Sequence, residues 1–122
     1  ILTSSTTNWL HGHWQARRGM AYYGAWKTPQ VTVGTLNNWL VMSGNNSITS
    51  ISNNILVDSV PYGNANGGTG NLVMTINNNF NGATEQSDWN LSYVVIYDTQ
   101  LTDGEMLTVS NVLLSYLQNG YM

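Results

Sequence analysis

Short apolar runs alternate with clusters of turn residues along most of the chain, which is typical of an all-β fold. The runs predict strands over residues 9–14, 20–26, 31–36, 39–43, 47–51, 55–59, 71–76 and 91–98. Asn, Gly and Pro gather between them, and the glycine- and asparagine-rich stretch 61–70 predicts a flexible loop. No linker or internal repeat interrupts this pattern, so residues 1–122 are expected to form one domain.

The C-terminal part predicts a buried strand followed by one amphipathic helix. Within residues 91–98, Tyr93, Val95 and Tyr97 alternate with Val94 and Ile96, and side chains of these types suit the pleated surface of a strand. Thr102 and Glu105 have the spacing of a capping box, in which side chain and backbone of the two residues bond reciprocally. Apolar residues then recur at helical spacing, and Asn119-Gly120 supplies a stop signal. The apolar positions are Met106, Val109, Leu113, Tyr116 and Leu117.

This strand and helix resemble the closing unit of the laminin-G-like, concanavalin-A-like lectin superfamily. The matching residues are Trp89, 94–97, Leu101, Thr102, Glu105 and Leu117, and upstream the stretches 37–42 and 52–60. Where the family usually has Asp-Gly, this chain has Asp58-Ser59. The resemblance spans roughly residues 35–118 and implies an antiparallel jelly-roll sandwich with one short C-terminal α-helix. It implies little about activity, because such folds host many functions.

The family's opening strands have no counterpart before Trp9. A second copy or a companion chain would then complete the sheet by adding a strand. The chain also has one Lys and two Pro in total, and these are residues that guard sheet edges against pairing. We therefore expect self-assembly through sheet edges, with the backbone of residues 91–98 paired on both sides.

Composition excludes some classes of protein and leaves others open. Charged residues make up 7% and asparagines number 17. Three basic residues and a net charge of −3 argue against nucleic-acid binding. No run approaches the ~20 apolar residues that cross a bilayer, so no membrane insertion is expected. The absence of cysteine fits either redox compartment. Two sequons, at Asn45 and Asn90, predict N-glycosylation of an extracellular or cell-surface protein, with Asn45 in a loop.

No catalytic constellation is found, and we expect no enzyme. The six carboxylates lack the spacing of a glycosidase pair, and no nucleophile elbow or phosphate loop occurs. His11 and His13 share a face of a strand and could together contact one metal ion. A zinc site needs at least one further ligand, and the chain has no cysteine and no carboxylate at a suitable spacing from them. No cofactor is required. Ca²⁺ is the one ion that converging loop oxygens would suit, from Asp58, Asn64, Asn66 and Asp88.

Aromatic and asparagine side chains are candidates for contacts with glycans. Rings stack on sugars and amides bond hydroxyls, so the candidates are Tyr22, Tyr23, Trp26, Asn78 and Phe80. The competing interpretation is that these rings belong to the core. Tyr22 and Tyr23 must in any case face opposite sides of their strand.

Two functional hypotheses follow from the sequence, and a viral or bacteriophage surface domain of the same fold also fits the composition. The first is a non-enzymatic extracellular or cell-surface structural module that assembles into a fibre or surface layer and carries glycans. The second is a glycan-binding lectin module. Partners are copies of the same chain or a companion chain for the first hypothesis, and glycans for the second.

Overall fold

The computed structural model describes residues 2–35, 38–45, 54–64, 72–78 and 90–120. The protein is mostly β, with two antiparallel sheets and one C-terminal helix, as predicted for an all-β chain. In chain order, the strands are β1 (Leu2–Ser4), β2 (Trp9–Trp14), β3 (Arg17–Tyr23), β4 (Met42–Gly44), β5 (Ile55–Val57), β6 (Val60–Gly63) and β7 (Met74–Ile76). The helix α1 spans Asp103–Gln118.

The larger sheet has the strand order β3-β2-β1-β7, and the smaller one has the order β4-β5-β6. The strand β1 lies inside the larger sheet, with Leu2 opposite His11 on β2 and opposite Ile76 on β7. β1 is thus a strand before Trp9 that the sequence pattern did not predict. The strand was missed because three residues, two of them polar, show too little alternation to be recognised.

Both short hairpins turn through two residues with positive φ. Gln15 and Ala16 connect β2 to β3 with φ of 45° and 56°, and Asp58 and Ser59 connect β5 to β6 with φ of 50° and 65°. Two successive positive φ values are what a type I′ turn requires, and this turn matches the twist of the flanking strands. Ser59 thus holds a conformation that a glycine would adopt without steric cost.

The two sheets pack against each other through one face of β2 and β3. Ala21 and Ile55 are completely buried in one cluster, against which Tyr23 and Met42 pack. On the opposite face of the larger sheet, Leu10 and Met20 form a second cluster. The hairpin β2–β3 therefore has apolar contacts on both of its faces.

The helix α1 has the predicted start and stop. Thr102 Oγ1 accepts a hydrogen bond from the Glu105 amide at 3.3 Å, and the Glu105 carboxylate accepts one from the Thr102 amide at 2.8 Å. Asn119 is the C-cap, and Gly120 follows with φ of 72°. The helix contacts β4, and the Ser110 hydroxyl bonds that of Ser59 at 3.1 Å. The predicted capping box and helix end are confirmed.

Several predicted strands differ from those observed. Residues 9–14 coincide with β2, whereas the run 20–26 begins earlier, at Arg17, and ends at Tyr23. The runs 39–43, 55–59 and 71–76 are represented by the three-residue strands β4, β5 and β7. Residues 31–35 form no strand, and residues 47–51 lie outside the described ranges. The predicted loop 61–70 begins in the strand β6, where Pro61 is exposed at the sheet edge.

The prediction of a buried strand over residues 91–98 is wrong in both secondary structure and burial. These residues are described, belong to no strand, and are exposed throughout. No described residue pairs with their backbone, so the expected pairing on both sides does not occur within the described part of the chain.

Candidate functional site

Two of the candidate glycan-binding residues, Tyr22 and Tyr23, lie on opposite faces of β3, as predicted. Tyr22 meets the Trp26 ring edge-on at 5.1 Å, and Trp26 lies 4.7 Å from Trp14. These three rings pack against the Leu10 and Met20 cluster. Their main role in the described structure is thus to cover one face of the larger sheet.

The other tyrosine joins a stack of three rings between the sheets. Tyr23 lies parallel to Trp9 at 5.4 Å and is stacked at 6.1 Å from His11. The Tyr23 hydroxyl and His11 Nδ1 are 2.7 Å apart and share a hydrogen bond. Burial lowers the pKa of His11 to about 4 and raises the pKa of Tyr23, so both are neutral near pH 7.

The ring stack leaves no room on the side of β4. A methyl group on Gly44 would come within 2.8 Å of His11 Cε1 and 3.0 Å of the Tyr23 hydroxyl. The Nε2 atom of His11 is buried and has no hydrogen-bond partner among the residues that the structure describes. Sequence reasoning missed this arrangement, since the pairing of His11 with Ala21 beside Tyr23 becomes visible only once the hairpin register is known.

Asp58, a candidate calcium ligand, is engaged by protein groups through both carboxylate oxygens. Oδ2 lies 2.6 Å from the guanidinium of Arg18, and Oδ1 accepts a hydrogen bond from the Val41 amide at 3.1 Å. The Arg18 guanidinium also donates to the carbonyls of Val33 at 2.8 Å, Asn38 at 3.4 Å and Trp39. Asp58 therefore holds the chain between β3 and β4 through Arg18.

The remaining candidate calcium ligands are not brought together by the described structure. Asn64 is exposed just after β6. Asn66 and Asp88 lie outside the described residues. Across the described ranges, no group of three or more His, Cys, Asp or Glu side chains could hold a metal ion.

The two sequons have different surroundings. Asn45 follows β4 and belongs to no helix or strand, as the loop prediction has it, but it is only 8% exposed and its side-chain amide donates to the Leu101 carbonyl. A glycan on this nitrogen would have to displace that bond. Asn90 is exposed and immediately precedes residues 91–97, whose backbone pairs with no described residue.

Of the two remaining candidate glycan-binding residues, Asn78 and Phe80, the structure describes only Asn78. The carbonyl of Asn78 accepts a hydrogen bond from the Thr3 hydroxyl at 2.6 Å, which ties the end of β7 to β1. Phe80 lies outside the described residues.

Residues 91–97, called here the 91–97 segment, form a run of exposed apolar side chains on the described surface. Six of its seven side chains are large and apolar, and Tyr93 and Ile96 are 64% and 68% exposed. The others are Leu91, Val94, Val95 and Tyr97. Tyr97, at its end, lines an open groove with Leu101 and Val109 beside the first turns of α1.

A second exposed apolar run includes β7, at the edge of the larger sheet. Leu72, Val73, Met74 and Ile76 are all exposed, the last by 55%. On one side, the Val73 carbonyl and amide bond Ser5 and Thr6 beside β1. Because successive backbone groups of a strand point to opposite sides, those of Met74 and Ile76 point away from β1. No strand among the described residues pairs with that side.

The chain was compared with family models, curated proteins and solved structures, and none of the three comparisons finds a match. The resemblance to laminin-G-like domains therefore stays a prediction. No helix within the described residues is long and apolar enough to cross a membrane.

Proposed function

We propose that this protein is a non-enzymatic structural module that assembles with copies of itself at the cell surface or outside the cell. The observation that carries the proposal is the exposed 91–97 segment, whose side chains suit a strand and whose backbone pairs with no described residue. An unpaired apolar segment of this kind is a template for strand addition. We also retain, as part of this proposal, the jelly-roll topology that the resemblance implies.

The surface composition supports assembly with like copies. Charged residues are only 7% of the chain, so copies that approach each other meet little repulsion and desolvate few charges. The 91–97 segment carries no charged residue at all. Of the two sequons, exposed Asn90 is better placed than Asn45 to carry the proposed glycan, provided that its surroundings stay accessible in the assembly.

The alternative of a glycan-binding module has less support in the described geometry. Three of its five candidate side chains, Tyr22, Tyr23 and Trp26, have their rings engaged in intramolecular contacts. Calcium has no assembled set of carboxylates among the described residues, and Asp58 is committed to Arg18 and Val41. We therefore propose assembly alone.

Sedimentation velocity over a hundredfold concentration range, followed by negative-stain microscopy, tests the proposal. Oligomers that grow with concentration and appear as filaments or sheets are expected. A chain that stays monomeric at the highest concentration while its circular dichroism shows a folded β protein would overturn the proposed function.

A further inference from the structure

We infer that the 91–97 segment of one copy pairs as an added strand with the outer edge of β7 in the next copy. This inference rests on the proposed function, because it names the contact through which the copies would assemble. The occupant of the β7 edge is thus a second copy of the same chain, bound head to tail.

The two surfaces have the complementary properties that such pairing needs. The outer side of β7 presents the backbone groups of Met74 and Ile76, and a strand needs such groups as its hydrogen-bond partners. The 91–97 segment has seven consecutive residues whose backbone pairs with no described part of the molecule. Seven residues are enough to cover the three residues of β7 and its exposed flank at Leu72 and Val73.

The chemistry of both surfaces favours contact with each other over contact with water. Residues 72–78 and 90–97 contain no charged side chain, so their pairing buries no unpaired charge. Natural sheet edges are guarded by Lys or Pro, and neither residue occurs in these two stretches.

The exposed area is also sufficient. Ten large apolar residues on the two surfaces are each between 37% and 68% exposed. Taking about 200 Å² for each such residue when fully exposed, they offer at most on the order of 1,000 Å². Specific interfaces bury about 1,000 Å² or more in total, and the paired backbones add to the apolar part. The area therefore fits a specific interface of modest size.

Head-to-tail pairing predicts the geometry of the assembly. Each copy uses one surface to bind the copy ahead and the other surface to bind the copy behind. Such contacts produce open filaments or closed rings, whereas a contact between two identical surfaces stops at a dimer. The geometry can be tested because each surface can be blocked separately.

Two double variants block the two surfaces. Val94→Lys with Ile96→Lys places charges on one face of the 91–97 segment, and Met74→Lys with Ile76→Lys does the same on β7. All four side chains are exposed, so the folded monomer should be preserved, which circular dichroism checks. Val31→Lys, at an apolar residue that is 59% exposed and lies outside both surfaces, is the control.

Sedimentation velocity of each variant alone and of an equimolar mixture gives the decisive result. Each double variant alone should be monomeric, with self-association weakened roughly a hundredfold or more by repulsion and burial of lysines, while Val31→Lys assembles like the unmodified chain. The mixture should form a one-to-one complex, because the intact segment of one variant meets the intact β7 edge of the other.

The other outcomes identify which idea fails. If the unmodified chain assembles and both double variants assemble equally well, the inference is overturned while the proposed function stands. If only the 91–97 variant is impaired, or if the mixture gives no complex, the head-to-tail geometry is wrong. If the unmodified chain is monomeric throughout, both the proposed function and this inference are overturned.

Discussion

Replacing Arg18 should destabilise the fold far more than replacing its neighbour Arg17, although both changes remove one positive charge from the same strand. Arg18 is 3% exposed, and its guanidinium bonds Asp58 at 2.6 Å and three backbone carbonyls. Arg17 is half-buried and lies 5.5 Å from the Trp14 ring, and among the described residues its guanidinium donates to the Gln15 side chain alone, at 3.4 Å. Arg17→Met is therefore a matched control for Arg18→Met.

The expected loss of stability in Arg18→Met depends on how far water can solvate the Asp58 carboxylate once the guanidinium is removed. Breaking a fully buried ion pair costs about 3–5 kcal/mol. The Asp58 side chain is 28% exposed, so water partly solvates its charge once Arg18 is gone, and the cost falls to about 2–3 kcal/mol. Arg17→Met loses a contact with an aromatic ring that is worth about 0.5–1 kcal/mol at such a site.

Urea unfolding followed by tryptophan fluorescence measures both free energies of unfolding. With a denaturant slope of about 2 kcal/mol/M, Arg18→Met should lower the urea midpoint by about 1 M, and Arg17→Met by less than half of that. The measurements belong in the Val94→Lys, Ile96→Lys background, so that assembly does not add to the apparent stability. Equal losses for the two variants would refute the role given to Arg18. A double-mutant cycle with Asp58→Asn should show a coupling of about 1 kcal/mol or more.

Further changes test the packing between the sheets and the hairpin turns. Gly44→Ala should cost about 1–3 kcal/mol, because the new methyl group meets His11 and Tyr23, whereas Gly104→Ala, with open space around it, should be neutral or stabilising in thermal unfolding. The free energy of unfolding should fall by about 3 kcal/mol as the pH drops from about 6.5 to about 4, because His11 is protonated in the unfolded chain while burial keeps its pKa in the folded protein at about 4. Urea titrations at several pH values should show a weaker dependence of this free energy on pH for His11→Gln. Ala16→Gly should raise the melting temperature, because Ala16 has a φ of 56° that glycine adopts freely; a lower melting temperature would contradict the strain assigned to that turn.

Features coded by neighbouring residues could be predicted from the sequence. The capping box at Thr102 and Glu105 and the stop at Asn119-Gly120 depend on contacts within one or two turns of helix, and both are confirmed. The opposite orientation of Tyr22 and Tyr23 follows from strand geometry alone, and it too is observed.

Features that depend on contacts across the fold could not be predicted. The pair of Arg18 and Asp58 joins residues 40 positions apart, and no local pattern marks Arg18 as buried rather than Arg17. The short strand β1 is stabilised by β2 on one side and β7 on the other, so its own three residues carry little of the signal. Asn45 lies beside Gly44 in a stretch whose residue types are typical of a loop. Nothing in that stretch indicates that the Leu101 carbonyl, just before α1, accepts a hydrogen bond from its side chain.

The wrong strand prediction for residues 91–98 has a different cause, and that cause supports the assembly proposal. Strand propensity describes how well side chains fit a half-buried pleated surface, and it contains no information on whether a partner strand is present in the same chain. Here the preference is strong, and the described part of the chain provides no partner. Natural sequences tend to be consistent between local preference and global fold, and the places where they are inconsistent are often functional. In a chain whose larger sheet also keeps an apolar edge unguarded, the strand preference of residues 91–97 is satisfied when the partner strand belongs to another copy.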